Sequence, residues 1–452
     1  MAEPAPAAAP SAGEVSERPA PAAAYERWIG ACALAGWRAE AQPELVRLTD
    51  CLGRVTAGSI RALRPAPAFD CAAMDGIAIR AGAPVPRDQD ADRSRSGRWR
   101  LAPADFAWVD TGELMPPGTD TIVMSERVHI GADGSAWISG PAPRGLHVRP
   151  AGEDFAAGQL LLPAGHRIRP VDLAAAAAAG HATLKVADRP VVAIIPTGDE
   201  IRSIGSALDP GQVTDSNSLM LAAQVTEAGG TPLVGSVQPD DPAAIAAAVT
   251  QAAREADLVL LIAGSSRGHR DHAPGVLAEA GSLVVRGVAV RPGHPALLGY
   301  ARRTEPYGRT AAGPVPVIGI PGYPLAAVVT FELFAVPLLA ALQGSRPPHR
   351  PRQRVQLACD WTSPPDVEDW VPVSLAPEPT ATDPAVTALA TPGRRGAGAI
   401  SRLVRADAWW PIPIGQAEFS RGDHIDVQPI PGVPAGLGTL TGAAVTERAS
   451  PR

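Results

Sequence analysis

The chain has 452 residues, 46% of them apolar and 19% charged, with a formal net charge of −6 at pH 7. That length is more than one hydrophobic core serves and implies about three domains of ~150 residues. The acidic balance and the lack of a polybasic run exclude an electrostatic footprint for DNA, RNA or an anionic membrane, so no nucleic-acid or membrane partner is expected and a small polar substrate is.

Only one basic residue is lysine, Lys185, and the rest are arginine. Cys32, Cys51, Cys71 and Cys359 stand without a C-x-x-C pair, which indicates neither a disulfide framework nor a structural zinc site. No apolar segment is read as approaching the ~20 residues of a membrane span, and the N-terminus has no basic region leading into a hydrophobic one. A soluble, cytoplasmic protein is expected.

Residues 1–22 are almost all Ala, Pro, Glu and Ser, a composition that cannot bury enough apolar area to offset chain entropy, and they read as a disordered tail. From Tyr25 to about Gly58 the pattern reads as helical, with Leu45, Val46 and Leu48 leading to Leu52 and Val55. Short apolar runs divided by Pro and Gly then follow, at Ile77–Ile79, Phe106–Val109, Thr121–Met124, Ala136–Ile138 and Leu160–Leu162, and predict a small β domain over 61–162. At its entrance Asp75-Gly76 reads as a tight-turn pair. Asp172 reads as the N-cap of an alanine-rich helix that Gly180 ends, so that 23–60 and 163–189 together form a helical linking segment.

Over 190–343 strands and helices alternate. Apolar runs at Val191–Ile195, Leu233–Val237, Leu258–Ile262, Leu283–Val290 and Val315–Ile320 are separated by helical segments near Leu219–Ala228, Ala243–Glu255 and Gly275–Ala280, and an apolar helix spans Leu325–Leu342. This is a doubly wound α/β pattern. Leu258–Ile262 has the continuous aliphatic character of a strand buried on both faces. A Pro- and Arg-rich linker leads to a C-terminal β domain over 350–437, and 438–452 read as a fraying tail. The expected fold class is multidomain α/β plus β: a doubly wound domain, an inserted small β domain, a helical linking segment and a C-terminal β domain.

Several strands of the α/β segment end in polar or glycine-containing turns. These are Thr197-Gly198-Asp199-Glu200, Asp240-Asp241, Gly264-Ser265-Ser266 through Asp271, Arg291 to His294, and Pro321-Gly322-Tyr323-Pro324. Strand ends in such a sheet lie on one edge, where ligands bind. That gathers Glu200, Asp240 and Asp271 with Arg267, Arg291 and His294 around a Gly/Ser-lined floor, a mix suited to a divalent cation and an anionic phosphate ligand. A single carboxylate at a strand end is usually a turn or cap residue; three among cations and glycine turns favour a site. No G-x-G-x-x-G follows a strand, no P-loop lysine is present and no G-x-S-x-G occurs, which argues against dinucleotide binding, ATP hydrolysis and serine hydrolysis.

From about Tyr25 to Pro431 the chain resembles the MoeA family, relatives of the gephyrin E domain. The resemblance rests on ordered motifs: Ala73-Met74-Asp75-Gly76, Asp110-Thr111-Gly112, Gly152-Glu153-Asp154, Pro196 to Glu200, Asp215-Ser216-Asn217, Asp240-Asp241-Pro242, Gly264 to Asp271, Arg291 to Pro295 and Pro321 to Pro324. It implies a homodimer of four-domain subunits that takes adenylylated molybdopterin and molybdate, inserts molybdenum and releases AMP with Mg²⁺ or another divalent cation. Glu200, Asp240 and Asp271 would hold the cation, and with Asp75 of the small β domain would be the catalytic carboxylates. Thr197, Gly198, Asp199, Ser216, Asn217, Gly264, Ser265, Ser266, Arg291, His294, Pro321, Gly322 and Tyr323 would bind substrate. Two motifs depart from the family's usual form. Arg291-Pro292-Gly293-His294-Pro295 stands where K-P-G-K-P is common, and Pro321-Gly322-Tyr323-Pro324-Leu325-Ala326 where P-G-N-P-V-S is usual. His294 and Ala326 therefore leave open a second reading, a non-catalytic protein that holds or carries the cofactor.

Overall fold

The structure is a computed structural model that describes residues 18–82, 98–263, 272–303, 313–377, 388–393, 396, 398 and 400–430. The chain divides into two compact units, Gln42–Asp188 and a larger one made of Met1–Ala41 with Arg189–Arg452.

The larger unit is built on a mixed sheet. Among the described residues its strands lie in the order Thr231–Val234, Val191–Pro196, Leu258–Ala263, Val315–Pro321, Leu297–Ala301 and Gly281–Arg286. The first four are parallel, and Leu297–Ala301 runs antiparallel to both of its neighbours, Val315–Pro321 and Gly281–Arg286. The alternation of side chains across a strand explains the unbroken aliphatic run 258–262. Leu258, Leu260 and Ile262 enter one core with Val192 and Ile194. Val259 and Leu261 enter the opposite core with Ala193 and Ile195. Helices Pro242–Glu255 and Ala273–Ala280 cover the second face, while Pro21–Leu34, Asn217–Glu227 and the helical run 324–342 cover the first. The expected α/β character is borne out.

Four local expectations differ. Helix Pro21–Leu34 packs on this sheet through Trp28, whose Nε1 donates to the Gly299 carbonyl at 2.6 Å, so it is not grouped with 163–189. Residues from Arg18 on therefore belong to the fold and not to a tail, and Ala289 N donates to Pro19 O. The apolar residues of 43–47 form a strand paired with Thr183–Ala187 instead of a helix, because that pairing satisfies both backbones where Pro43 denies a helix its interior. The extended run 283–290 breaks after Arg286, and Val290–Arg291 leaves the sheet altogether.

The run Pro324–Leu342 is 19 residues long with a mean hydropathy of 2.2 in its most apolar window, enough by length and composition to cross a membrane, contrary to the sequence reading. That window is 72% buried within the protein, which makes it a core helix. Its turns widen to π geometry over Phe331–Ala335 just before Pro337, a residue with no N–H to give the preceding turn.

The second sheet of the larger unit closes on itself. Gln353–Leu357, Ala388–Pro392, Glu368–Pro377, Ala408–Ile412 and His424–Pro429 pair in a ring, since Ala408–Ile412 bonds both Glu368–Pro377 and His424–Pro429. Val355, Val373, Trp410, Ile412 and Val427 fill it. Val290–Arg291 adds to this barrel in parallel beside Glu368 and Asp369.

In the smaller unit, Gly76–Ile79 lies between Phe106–Val109 and Thr121–Met124, and Ala136–Ser139 lies between Arg98–Leu101 and Val128–Ile130. Helix Pro170–Ala178 ends at Gly180 as expected, with φ +96° there. Asp172 is not its N-cap, however, but its third residue, reaching back to accept from Arg169 N at 2.8 Å.

Candidate functional site

The C-terminal edge of the parallel strands faces the barrel across a cavity of about 860 Å³. The strand ends arrive there for the reason anticipated from the topology: parallel strands deliver all their carboxyl ends to one edge. Pro196 and Thr197 continue the strand Val191–Pro196, and Thr197 is tied down by its N and Oγ1, both donating to Ile262 O at 3.1 and 2.8 Å. Gly198 has φ +136°, and a Cβ there would stand 2.8 Å from Glu200 Oε2. Glycine is thus what lets the Glu200 carboxylate fold back over the turn.

The next wall is the loop before helix Asn217–Glu227. Asp215 Oδ1 accepts from Ser218 N at 3.0 Å, so a carboxylate already complements the helix N-terminus. Asn217 is nearly buried; its Nδ2 donates to Gly322 O at 2.7 Å, and its Oδ1 has no hydrogen-bond partner among the described residues. That bond ties the Asp215-Ser216-Asn217 motif to the Pro321-Gly322-Tyr323 motif.

The cationic wall is Arg291 to Pro295. The Arg291–Pro292 peptide is cis, and Gly293 has φ +123° with a Cβ position only 3.3 Å from Thr330 Oγ1. Arg291 forms a two-pronged ion pair with the carboxylate of Asp369, Nε to Oδ1 at 3.0 Å and Nη2 to Oδ2. Ser363 Oγ donates to Asp369 Oδ2 at 2.9 Å. Trp361 and Trp370 of the barrel give the cavity a broad aromatic side.

Of the anticipated site residues, Thr197, Glu200, Ser216, Asn217, Arg291, His294, Pro321, Gly322 and Tyr323 line this cavity together, and Ala326 lies there too. Gly198, Asp199 and Asp240 do not line it: Asp199 Oδ1 accepts from Asp240 N at 3.2 Å beside it. Gly264, Ser265, Ser266, Arg267 and Asp271 lie outside the described residues. Of the anticipated metal trio, Glu200 and Asp240 are among the described residues and Asp271 is not; among the described residues no three His, Cys, Asp or Glu side chains stand close enough to hold a metal ion. Asp75 belongs to the smaller unit, fully exposed, with Oδ1 accepting from both Thr111 N and Oγ1 at 2.7 Å; these bonds hold its carboxyl below the usual carboxylate range.

Sequence reading missed Asp215, Trp361, Asp369 and Trp370 as cavity residues. Asp215 sat in a recognised motif. The other three carried no local signal, because their place depends on how the barrel closes.

Three family models match the chain. The MoeA N-terminal region (domain I and II) covers residues 22–180, the probable molybdopterin binding domain 193–341 and the MoeA C-terminal region (domain IV) 354–430. Molybdopterin molybdenumtransferase 2 of Mycobacterium tuberculosis (strain H37Rv) is 37% identical over 343 residues, 72% of this chain and 81% of that protein. Molybdopterin molybdenumtransferase of a Nostoc species is 34% identical over 67% of this chain and 70% of its own length. The crystal structure of a molybdopterin biosynthesis MoeA protein from Pyrococcus horikoshii superposes with a TM-score of 0.71 at 27% identity, covering 91% of this chain and 98% of that one. With the cavity placed at the edge of the 193–341 segment and the barrel of 354–430 across from it, the chain belongs to the MoeA family.

Proposed function

We propose that this protein is a molybdopterin molybdenumtransferase of molybdenum cofactor biosynthesis: it takes adenylylated molybdopterin and molybdate, places molybdenum on the dithiolene and releases AMP. The reading is supported chiefly by one observation, the 860 Å³ cavity whose wall carries acidic, cationic and aromatic groups at the strand edge of the molybdopterin-binding segment. Trp361 and Trp370 line the cavity on the barrel side, an apolar wall for a flat heterocycle, and the Arg291 wall suits an anionic group. Asn217 Oδ1 and the Asp215 and Glu200 carboxylates accept from donor groups of the substrate. A cytoplasmic homodimer is part of the proposal, with Asp75 as one of its catalytic carboxylates.

Purified protein given adenylylated molybdopterin and molybdate is expected to release AMP in proportion to molybdenum-bound cofactor formed. Tight pterin binding without molybdate-dependent AMP release would defeat the proposal and favour a carrier.

A further inference from the structure

The cavity's cationic residue is not held by the part of the chain that carries it. Arg291 and Asp369 are 78 residues apart, yet two charge-assisted bonds join them and their backbones pair in parallel. Asp369 is only 3% exposed, whereas the Arg291 side chain keeps 33% of its surface. A two-pronged pair locks the plane of a guanidinium, and here it engages Nε and Nη2 and leaves Nη1 outside the pair on a residue that lines the cavity. Ser363, 2% exposed, in turn fixes the rotamer of Asp369. Burying such a carboxylate for stability alone gains little, since desolvation offsets most of the attraction. Fixing the arginine beforehand removes side-chain ordering from the cost of binding an anion.

We infer that Asp369 is a positioning residue for oxyanion recognition: with Ser363 it holds Arg291 so that the free edge of the guanidinium meets the anionic group of the substrate. The C-terminal segment thereby sets the oxyanion affinity of a site whose cation comes from 78 residues earlier in the chain. The identity of the oxyanion as molybdate rests on the function proposed above.

The test uses the full-length protein with Ser363→Ala, Asp369→Asn, Arg291→Ala and the Asp369→Asn/Arg291→Ala pair. Three measurements are made: steady-state kinetics of molybdate-dependent AMP release for KM and kcat, equilibrium dialysis of molybdate for Kd, and thermal unfolding. Asp369→Asn is expected to raise KM and the dialysis Kd about tenfold and Ser363→Ala about threefold, with kcat at saturating molybdate within about twofold, and Asp369→Asn to add nothing in the Arg291→Ala background. Unchanged KM and Kd in both single variants, a fall in kcat at constant KM, or an Asp369→Asn effect that persists without Arg291 would each overturn it. If Asp369→Asn does not fold, Ser363→Ala decides alone. Wild-type protein that binds molybdate but releases no AMP would defeat the insertion reading while dialysis still judges the positioning; wild-type protein that binds no molybdate would overturn the positioning as well.

Discussion

A Cβ at Gly76 would sit 2.1 Å from the Val123 carbonyl oxygen. The Asp75-Gly76 pair therefore owes its glycine to a close approach between neighbouring strands and not to the tight turn that its sequence suggests, and Gly76 has no positive φ. Gly76→Ala is expected to cost ~2–3 kcal/mol of the smaller unit's stability, read as a lower urea midpoint with unchanged slope. Asp172 makes the opposite kind of contribution, through charge. It is 4% exposed and accepts from Arg169 N, Nε and Nη2 and pairs with His166 Nε2 at 2.7 Å, and the Arg169 bonds chiefly hold its carboxyl well below the usual range. Because the folded value is depressed, this stabilisation is complete above the unfolded value near ~3.9 and is lost as pH falls below it. Asp172→Asn should destabilise the unit by ~2–3 kcal/mol at pH 7 and flatten its acid limb, measured by urea unfolding from pH 7 to 3. An unchanged acid limb would remove Asp172 from the account.

At the scale of elements, local pattern identified most strands and helices because burial periodicity is written residue by residue. Helix 324–342 shows what such a pattern leaves out: Glu332 sits in its widened segment and pairs with Arg350 from the following linker. Burial pushes the Glu332 carboxyl up, while Arg350 opposes that shift. Arg350→Ala should thus cost ~3 kcal/mol at pH 8 and less at pH 5, because burial already favours the protonated form of Glu332 and falling pH relieves the unpaired buried charge. Equal losses at both pH values, by chemical denaturation, would contradict this. Helix Pro21–Leu34 was legible as a helix, but its docking partner was not, since the acceptor for Trp28 is 271 residues away. Trp28→Ala is expected to cost ~3–5 kcal/mol in the larger unit, seen as a lower unfolding midpoint.

For the molecule as a whole, the division into Gln42–Asp188 and the remainder predicts two calorimetric transitions, with Asp172→Asn lowering only one of them. A single transition shifted intact would mean that the two units unfold as one. The sequence by itself determined the α/β alternation, the buried central strand, the small strands of 61–162 and the gathering of Thr197, Glu200 and Pro321–Tyr323 at one edge, because strand direction and turn chemistry are local or follow from topology. Only the tertiary structure decided that Asp199 and Asp240 stand aside, that Val290–Arg291 joins the barrel, and that Trp361, Asp369 and Trp370 wall the cavity. Those outcomes depend on which distant strand completes a hydrogen-bond ladder and which buried charge finds a partner, and neither choice leaves a trace in the pattern of neighbouring residues.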